Sequence, residues 1–158
     1  MKKSLKERYR NHIEVIEPIP VVYMRRVGAY GAENYTLMQD MKVWINRNNL
    51  WHKDGVIYGI ARDNAYTTPA KECRYDVCFV TDSTFEDGVI NYSTLPNGKY
   101  LVFEVPHTIE DVQHFWEEIA KTTTNTEQKV AFDTPILERY KFALVEKGFC
   151  EFCIPLLT

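Results

Sequence analysis

The run Pro135-Ile136-Leu137-Glu138-Arg139-Tyr140-Lys141-Phe142 holds the side chain with the clearest chemical potential in this 158-residue chain. Read as a strand, it sends Ile136, Glu138, Tyr140 and Phe142 to one side and Leu137, Arg139 and Lys141 to the other. The apolar, aromatic face therefore carries a carboxylate. An ionised carboxyl costs several kcal/mol to bury unless something pairs with it, so Glu138 should meet an arginine, a hydroxyl, water or a cationic ligand. A binding site meets that demand. An edge strand whose glutamate leans into solvent meets it too, and the alternation leaves both open.

Other reactive side chains offer less. Cys150-Glu151-Phe152-Cys153 has CxxC spacing, and Cys73 and Cys78 form a second pair. Residues three or five apart on a strand point to opposite faces, and no flanking histidine supports ligation, so a metal site is not expected. His12, His52, His107 and His114 have neither a nucleophile motif nor a metal partner nearby and read as surface histidines. No GxSxG, phosphate-loop or dinucleotide fingerprint is present, and no cofactor is expected.

Bulk properties narrow the function classes. A chain of this length fits one domain with a sizeable core. Ten Tyr, eight Phe and three Trp exceed what a plain core needs and suit an aromatic-lined cavity. The net charge is −3, yet Lys2, Lys3, Lys6, Arg8 and Arg10 crowd the first twelve residues; past them acids outnumber bases by seven. That acidic body argues against direct nucleic-acid binding. No stretch reaches the ~18 apolar residues of a membrane span, no signal-peptide core follows Met1, and the four cysteines suit reduced thiols. The expectation is a soluble, cytoplasmic protein with a basic tail, 1–12, and one domain, 13–158.

The elements that must position Glu138 follow from periodicity. Residues 13–27 are rich in Val and Ile and are interrupted by Pro18 and Pro20, which predicts one extended segment with a bulge or bend. After the turn at Gly28-Ala29-Tyr30-Gly31, Leu37, Met38, Met41, Trp44 and Ile45 predict a helix over 32–49. Strands over 56–61 and 73–80 complete a β-α-β-β unit. The order then recurs: a turn at Pro96-Asn97-Gly98, a strand over 99–105, and a helix opened by Thr108 with Asp111 three residues on and carrying Val112, Phe115, Trp116 and Ile119. Strands near 136–142 and 149–154 close the second unit. The fold class is α+β, with repeat halves at about 13–81 and 95–156 joined in an antiparallel sheet and two main helices framing a central groove.

In their order and spacing, several stretches resemble the GyrI-like small-molecule-binding family, which also forms the effector-binding domain of AraC-type and MerR-type transcription regulators and the stand-alone DNA gyrase inhibitors. They are Val22-Tyr23-Met24-Arg25-Arg26-Val27-Gly28-Ala29-Tyr30-Gly31, Gly59-Ile60-Ala61-Arg62-Asp63, Thr68-Pro69, Cys73-Arg74-Tyr75-Asp76-Val77, Leu95-Pro96-Asn97-Gly98-Lys99-Tyr100, Pro135 to Tyr140, and Ile154-Pro155-Leu156. The resemblance covers nearly the whole chain from about residue 13. It implies pseudo-twofold β-α-β-β units and a groove for hydrophobic, often cationic, small molecules, with an acid at the position of Glu138 facing the ligand's charge. After Gly59 the family commonly has an aromatic or His followed by two acids, whereas this chain has Ala61-Arg62-Asp63; Arg62 could enter the groove and pair with Glu138.

The ligand-binding candidates are Glu138, Tyr140, Trp116, Phe115, Tyr30 and Trp44, each with a plainer reading as a core, turn or sheet-margin side chain. The leading expectation is binding of a hydrophobic, cationic small molecule, in a stand-alone effector domain or beside a separate DNA-binding regulator. The resemblance also implies two others. One is a DNA gyrase inhibitor acting by protein contact; the other is hydrolysis of strained electrophiles, with Glu138 activating water.

Overall fold

The computed structural model describes residues 3–85, 88–122, 131 and 133–157. In chain order these form α1 (Leu5–Arg8), β1 (Arg10–Ile16), β2 (Ile19–Val27), α2 (Ala32–Arg47), β3 (Val56–Ala61), β4 (Arg74–Val80), β5 (Asn91–Leu95), β6 (Gly98–Pro106), α3 (Ile109–Thr122), β7 (Leu137–Lys141), α4 (Phe142–Glu146) and β8 (Phe149–Pro155). The strands make one antiparallel eight-stranded sheet in the order β1-β6-β8-β7-β3-β4-β2-β5. From the β3/β7 seam outward, the sheet runs β3, β4, β2 one way and β7, β8, β6 the other. That is the duplicated β-α-β-β architecture the periodicity predicts.

The outermost strands depart from the prediction. The segment expected to run as one bent strand over 13–27 is not continuous. Residues 10–27 form two strands in opposite halves, β1 on β6 and β2 between β4 and β5. Glu17 and Pro18 lie between them, and a proline there has no N–H to continue a ladder. The second half does the same thing: β5 runs through Pro96-Asn97 into β6 yet pairs with β2. Each unit thus lends an arm strand to the other. The sequence signals only the turn before β6, because Asn91, Tyr92, Ser93 and Thr94 are all exposed and show no alternation.

The basic segment 1–12 is partly built into the fold, with Met1 and Lys2 outside the described residues. Ser4 caps α1 through its hydroxyl, Leu5 and Tyr9 are buried against the α3 cluster, and the Tyr9 hydroxyl donates to Asp111 Oδ1 at 3.2 Å. The Thr108 hydroxyl accepts the Asp111 N–H at 3.1 Å, which fixes the start of α3 as the capping pattern predicts.

Both long helices lie on one face of the sheet. Met41, Trp44 and Ile45 of α2 pack on Val22, Ile57, Val77 and Phe79, and Phe115 and Ile119 of α3 pack on Phe103, Val105, Phe152 and Ile154. Phe115 stacks on Phe152 with ring centroids 4.3 Å apart. Tyr140 touches both clusters. The opposite face is buried as well, by Ile16, Tyr58, Ile60, Cys78, Leu95, Val102, Leu137 and Cys153.

That second face also holds two ion clusters. Asp76 is fully buried; burial pushes its carboxyl up, but Arg25 at 2.6 and 2.9 Å and Arg62 at 2.8 Å hold it below the usual range. Arg139, 3% exposed, donates to Glu151 at 2.9 Å and to both Glu14 oxygens at 2.8 and 3.0 Å. Breaking such a pair strands a buried charge. Arg139→Ala is therefore expected to cost about 3–5 kcal/mol of unfolding free energy, read as a lower urea midpoint at unchanged slope.

Candidate functional site

Because α2 covers one half of the sheet and α3 the other, the seam strands between them stay uncovered. A cavity of about 1320 Å³ fills the space, larger than most small-molecule sites. Its floor is Ile57 and Ala61 of β3, Tyr75 of β4, and Glu138 and Tyr140 of β7. Its walls include Tyr35, Met38 and Lys42 of α2, Ile109, Val112 and Trp116 of α3, and Trp51 and Phe142 at one end.

Glu138 sits at the centre of the floor. Its Oε1 accepts a hydrogen bond from the Tyr75 hydroxyl at 2.8 Å and another from the Tyr140 hydroxyl at 3.0 Å. Among the described residues Oε2 accepts no hydrogen bond, and since no side-chain oxygen sealed from solvent lacks a partner among them, it faces the cavity. Protein surrounds the carboxyl at depth, yet the residue stays partly accessible because the cavity reaches it. Burial pushes its pKa above the usual carboxylate range, and the two hydroxyls offset only part of this. Burial and the neighbouring carboxylate push both tyrosines up, so they serve as neutral donors.

The arrangement depends on Gly59, the residue paired with Glu138 across the seam. A Cβ there would lie 2.3 Å from the Tyr75 hydroxyl and 2.7 Å from Glu138 Oε1. Only glycine leaves the gap in which these two groups meet.

Among the described residues no base forms an ion pair with Glu138. The expected candidate, Arg62, binds Asp76 on the opposite face instead. Strand alternation explains this: Gly59 and Ala61 face the cavity, so Ile60 and Arg62 face away.

Of the six sequence candidates, Glu138, Tyr140, Trp116 and Tyr30 line the cavity. The Tyr30 hydroxyl donates to the carbonyl of Arg74 at 2.9 Å and packs edge-on to Tyr75. Trp44 and Phe115 do not line it. Trp44, 4% exposed, meets Phe85 edge-on at 4.9 Å, and Phe115 is wholly buried. On a helix one residue turns the side chain by about 100°, which separates core-facing Phe115 from cavity-facing Trp116. The sequence reading missed Tyr75, although the alternation of Tyr75, Val77 and Phe79 marks it; His107 is exposed, as its reading as a surface histidine expects, and has a further place in the site. His107 lines the cavity 5.6 Å from the Tyr140 ring, and burial, then the charge of Lys42, holds its imidazole below the usual value. The cysteines divide by face as their spacing requires: Cys150 packs in the α3 cluster and Cys153 on the far side, with both thiols pushed up to about 12 by burial.

Known proteins share this architecture. A model of the GyrI-like small molecule binding domain matches residues 11–156. The Bacillus subtilis (strain 168) protein named "SPbeta prophage-derived putative transcriptional regulator YosT" is 36% identical over 146 residues, which is 91% of this chain and 97% of that protein. The EcmrR C-terminal domain has the same fold, with a TM-score of 0.69 at 10% identity over 95% of this chain and 98% of that one. In the EcmrR–DNA complex the chain spans only 59% of the EcmrR subunit, with a TM-score of 0.70 and 12% identity over 96% of this chain. SAV2435 bound to tetraphenylphosphonium aligns over 94% of each chain with a TM-score of 0.65 at 15% identity. At these identities the likeness to solved structures is one of fold.

The raised pKa of Glu138 has a sign consequence. A carboxyl whose folded pKa exceeds its unfolded value stabilises the fold while protonated, and that contribution is lost as pH rises through the folded pKa. Glu138→Gln is thus expected to raise the melting temperature of the ligand-free protein at pH 7.5, by roughly 2–4 °C per kcal/mol recovered, and to do so less at pH 4.5. Gly59→Ala should act oppositely, costing about 1–3 kcal/mol as overpacking parts Tyr75 from Glu138, measured by the same thermal scans.

Proposed function

The chain belongs to the GyrI-like small-molecule-binding family, and from that premise we propose that its cavity binds hydrophobic cations as the effector site of a transcription regulator. The observation that carries this reading is Glu138: a carboxylate without a counter-ion among the described residues, held by two tyrosine hydroxyls with one oxygen turned into an aromatic cavity. An arriving cation supplies the missing charge. The cost of burying Glu138 is met when the protein folds, so the carboxylate is already in place when the ligand enters.

Affinity and selectivity have separate sources. Trp51, Trp116, Tyr35, Met38, Val112 and Phe142 offer apolar surface, worth about 25 cal/mol per Å² removed from water. Aromatic faces add cation–π attraction of about 0.5–2 kcal/mol each. The carboxylate discriminates by sign: at 4 Å a unit charge interacts by about 4 kcal/mol at an effective dielectric of 20, part of which the ligand spends on its own desolvation. Tetraphenylphosphonium, the ligand of SAV2435, has the chemistry this cavity suits.

Tetraphenylphosphonium and tetraphenylborate share a shape and differ in sign. Calorimetric titration is expected to give tighter binding of the phosphonium to the unsubstituted protein, and Glu138→Gln to weaken that binding at least about tenfold, or 1.4 kcal/mol, without weakening the borate. Equal losses for both ions would exclude charge pairing. Protonation competes with the cation, so phosphonium affinity should also fall as pH drops through the pKa of Glu138, with proton release on binding in that range.

A further inference from the structure

A second charge faces the cavity from a stripe that is otherwise apolar. Tyr35, Met38, Lys42 and Ile45 recur at helical spacing on α2, and all four line the cavity. Among the described residues Lys42 forms no ion pair. Its charge acts on His107, at the turn between β6 and α3 on the other side of the cavity. His107 is held in place by its backbone N–H, which donates to the Gly148 carbonyl at 2.8 Å. The Tyr140 side chain spans the gap from there to the floor: its ring lies 5.6 Å from the His107 ring and its hydroxyl 3.0 Å from Glu138.

The cavity is therefore polarised, with a carboxylate on its floor, an imidazole about one aromatic ring away and a lysine on its α2 wall. Glu146 also lines the cavity, on α4 beside Phe142. Lys42 and His107 line the same cavity and are the two basic groups there that can meet an acceptor on a ligand. A ligand bearing only a positive charge satisfies Glu138 and leaves its other end facing Lys42. A ligand with an anionic or strongly accepting group one ring away satisfies both.

Resting on the cation-binding reading above, we propose that Lys42 and His107 form a second subsite, and that the preferred ligand is a dipolar aromatic molecule: a delocalised cation for Glu138 joined to a carboxylate or similar acceptor for Lys42 and His107. Both ends are then read by charge. The aromatic middle rests against Tyr140 and Trp116.

A xanthylium dye bearing a carboxyphenyl ring tests this, because the free acid is a zwitterion and its methyl ester a plain cation on the same aromatic body. Fluorescence anisotropy with the full chain is expected to show the free acid binding at least fivefold tighter than the ester. Lys42→Gln should abolish that preference, and Lys42→Arg should keep it. Glu138→Gln should weaken both dyes by a similar factor. Equal or tighter binding of the ester, or a preference that survives Lys42→Gln, overturns the subsite while leaving the cation site standing. Failure of Glu138→Gln to weaken either dye, or no binding of either, removes the cation reading and the subsite with it. Lys42 is exposed, so its substitution does not threaten folding.

Discussion

The site rests on one hydrogen-bonded bridge across three strands. Tyr75 on β4 reaches over Gly59 on β3 to the carboxylate of Glu138 on β7, and Tyr140 closes on the same oxygen from within β7. The β3/β7 pairing is also the seam between the two β-α-β-β units. Neither unit alone holds the carboxylate and both of its donors. Forming the seam and forming the site are the same event, and a buried charge with only neutral donors is tolerable there because the surrounding sheet is fixed by pairing on both sides.

Around that bridge the fold is arranged by exchange. β1 leaves one unit to extend the other, and β5 returns the exchange, so pairings at the far edges of the sheet tie together the halves that the β3/β7 seam joins at its centre. Ile16 and Leu95, the last residues of these two arm strands, share one cluster with seam residues Tyr58, Ile60 and Leu137. The back of the seam is thus sealed by apolar packing, and the front is left for the cavity. The buried Arg139 and Asp76 clusters sit on the sealed side, where their charges are satisfied internally. On the cavity side Glu138 has hydroxyl donors but no counter-ion among the described residues.

The repeated order of elements and the place of Glu138 were legible because they rest on local periodicity: period two for β3, β4 and β7, and a 3.6-residue repeat for α2 and α3. The arm exchange was not, since a proline break looks the same whether the chain bends or crosses to another strand. Helical spacing marked Trp44 and Phe115 as inward without telling core from cavity, two directions that differ by a single residue step. The meaning of Gly59 was also hidden. Its lack of a side chain matters only because Tyr75, sixteen positions on, and Glu138, in the other unit, arrive at the same point. Arg62 was misplaced for a simpler reason: counting its parity from Gly59 would have put it on the far face.

These features bear on why the cavity is so large. A helix packed on each half must leave the strands between them exposed, and the front of the seam carries Gly59 and Ala61, the two smallest side chains of β3. Small residues there deepen the floor and large aromatics stand at the walls, so the volume is set by the fold. A cavity of this size lined only by apolar side chains would accept almost any hydrophobic molecule that fits, because area burial is non-directional. In the proposed reading, charges displaced onto otherwise apolar stripes, Glu138 on a strand and Lys42 on a helix, restore direction. Each is visible in sequence by the same test, a polar residue where the period demands an apolar one. On the proposed function, the cost of holding Glu138 at the cavity floor has a purpose: a residue already satisfied by the protein would have nothing left to offer a ligand.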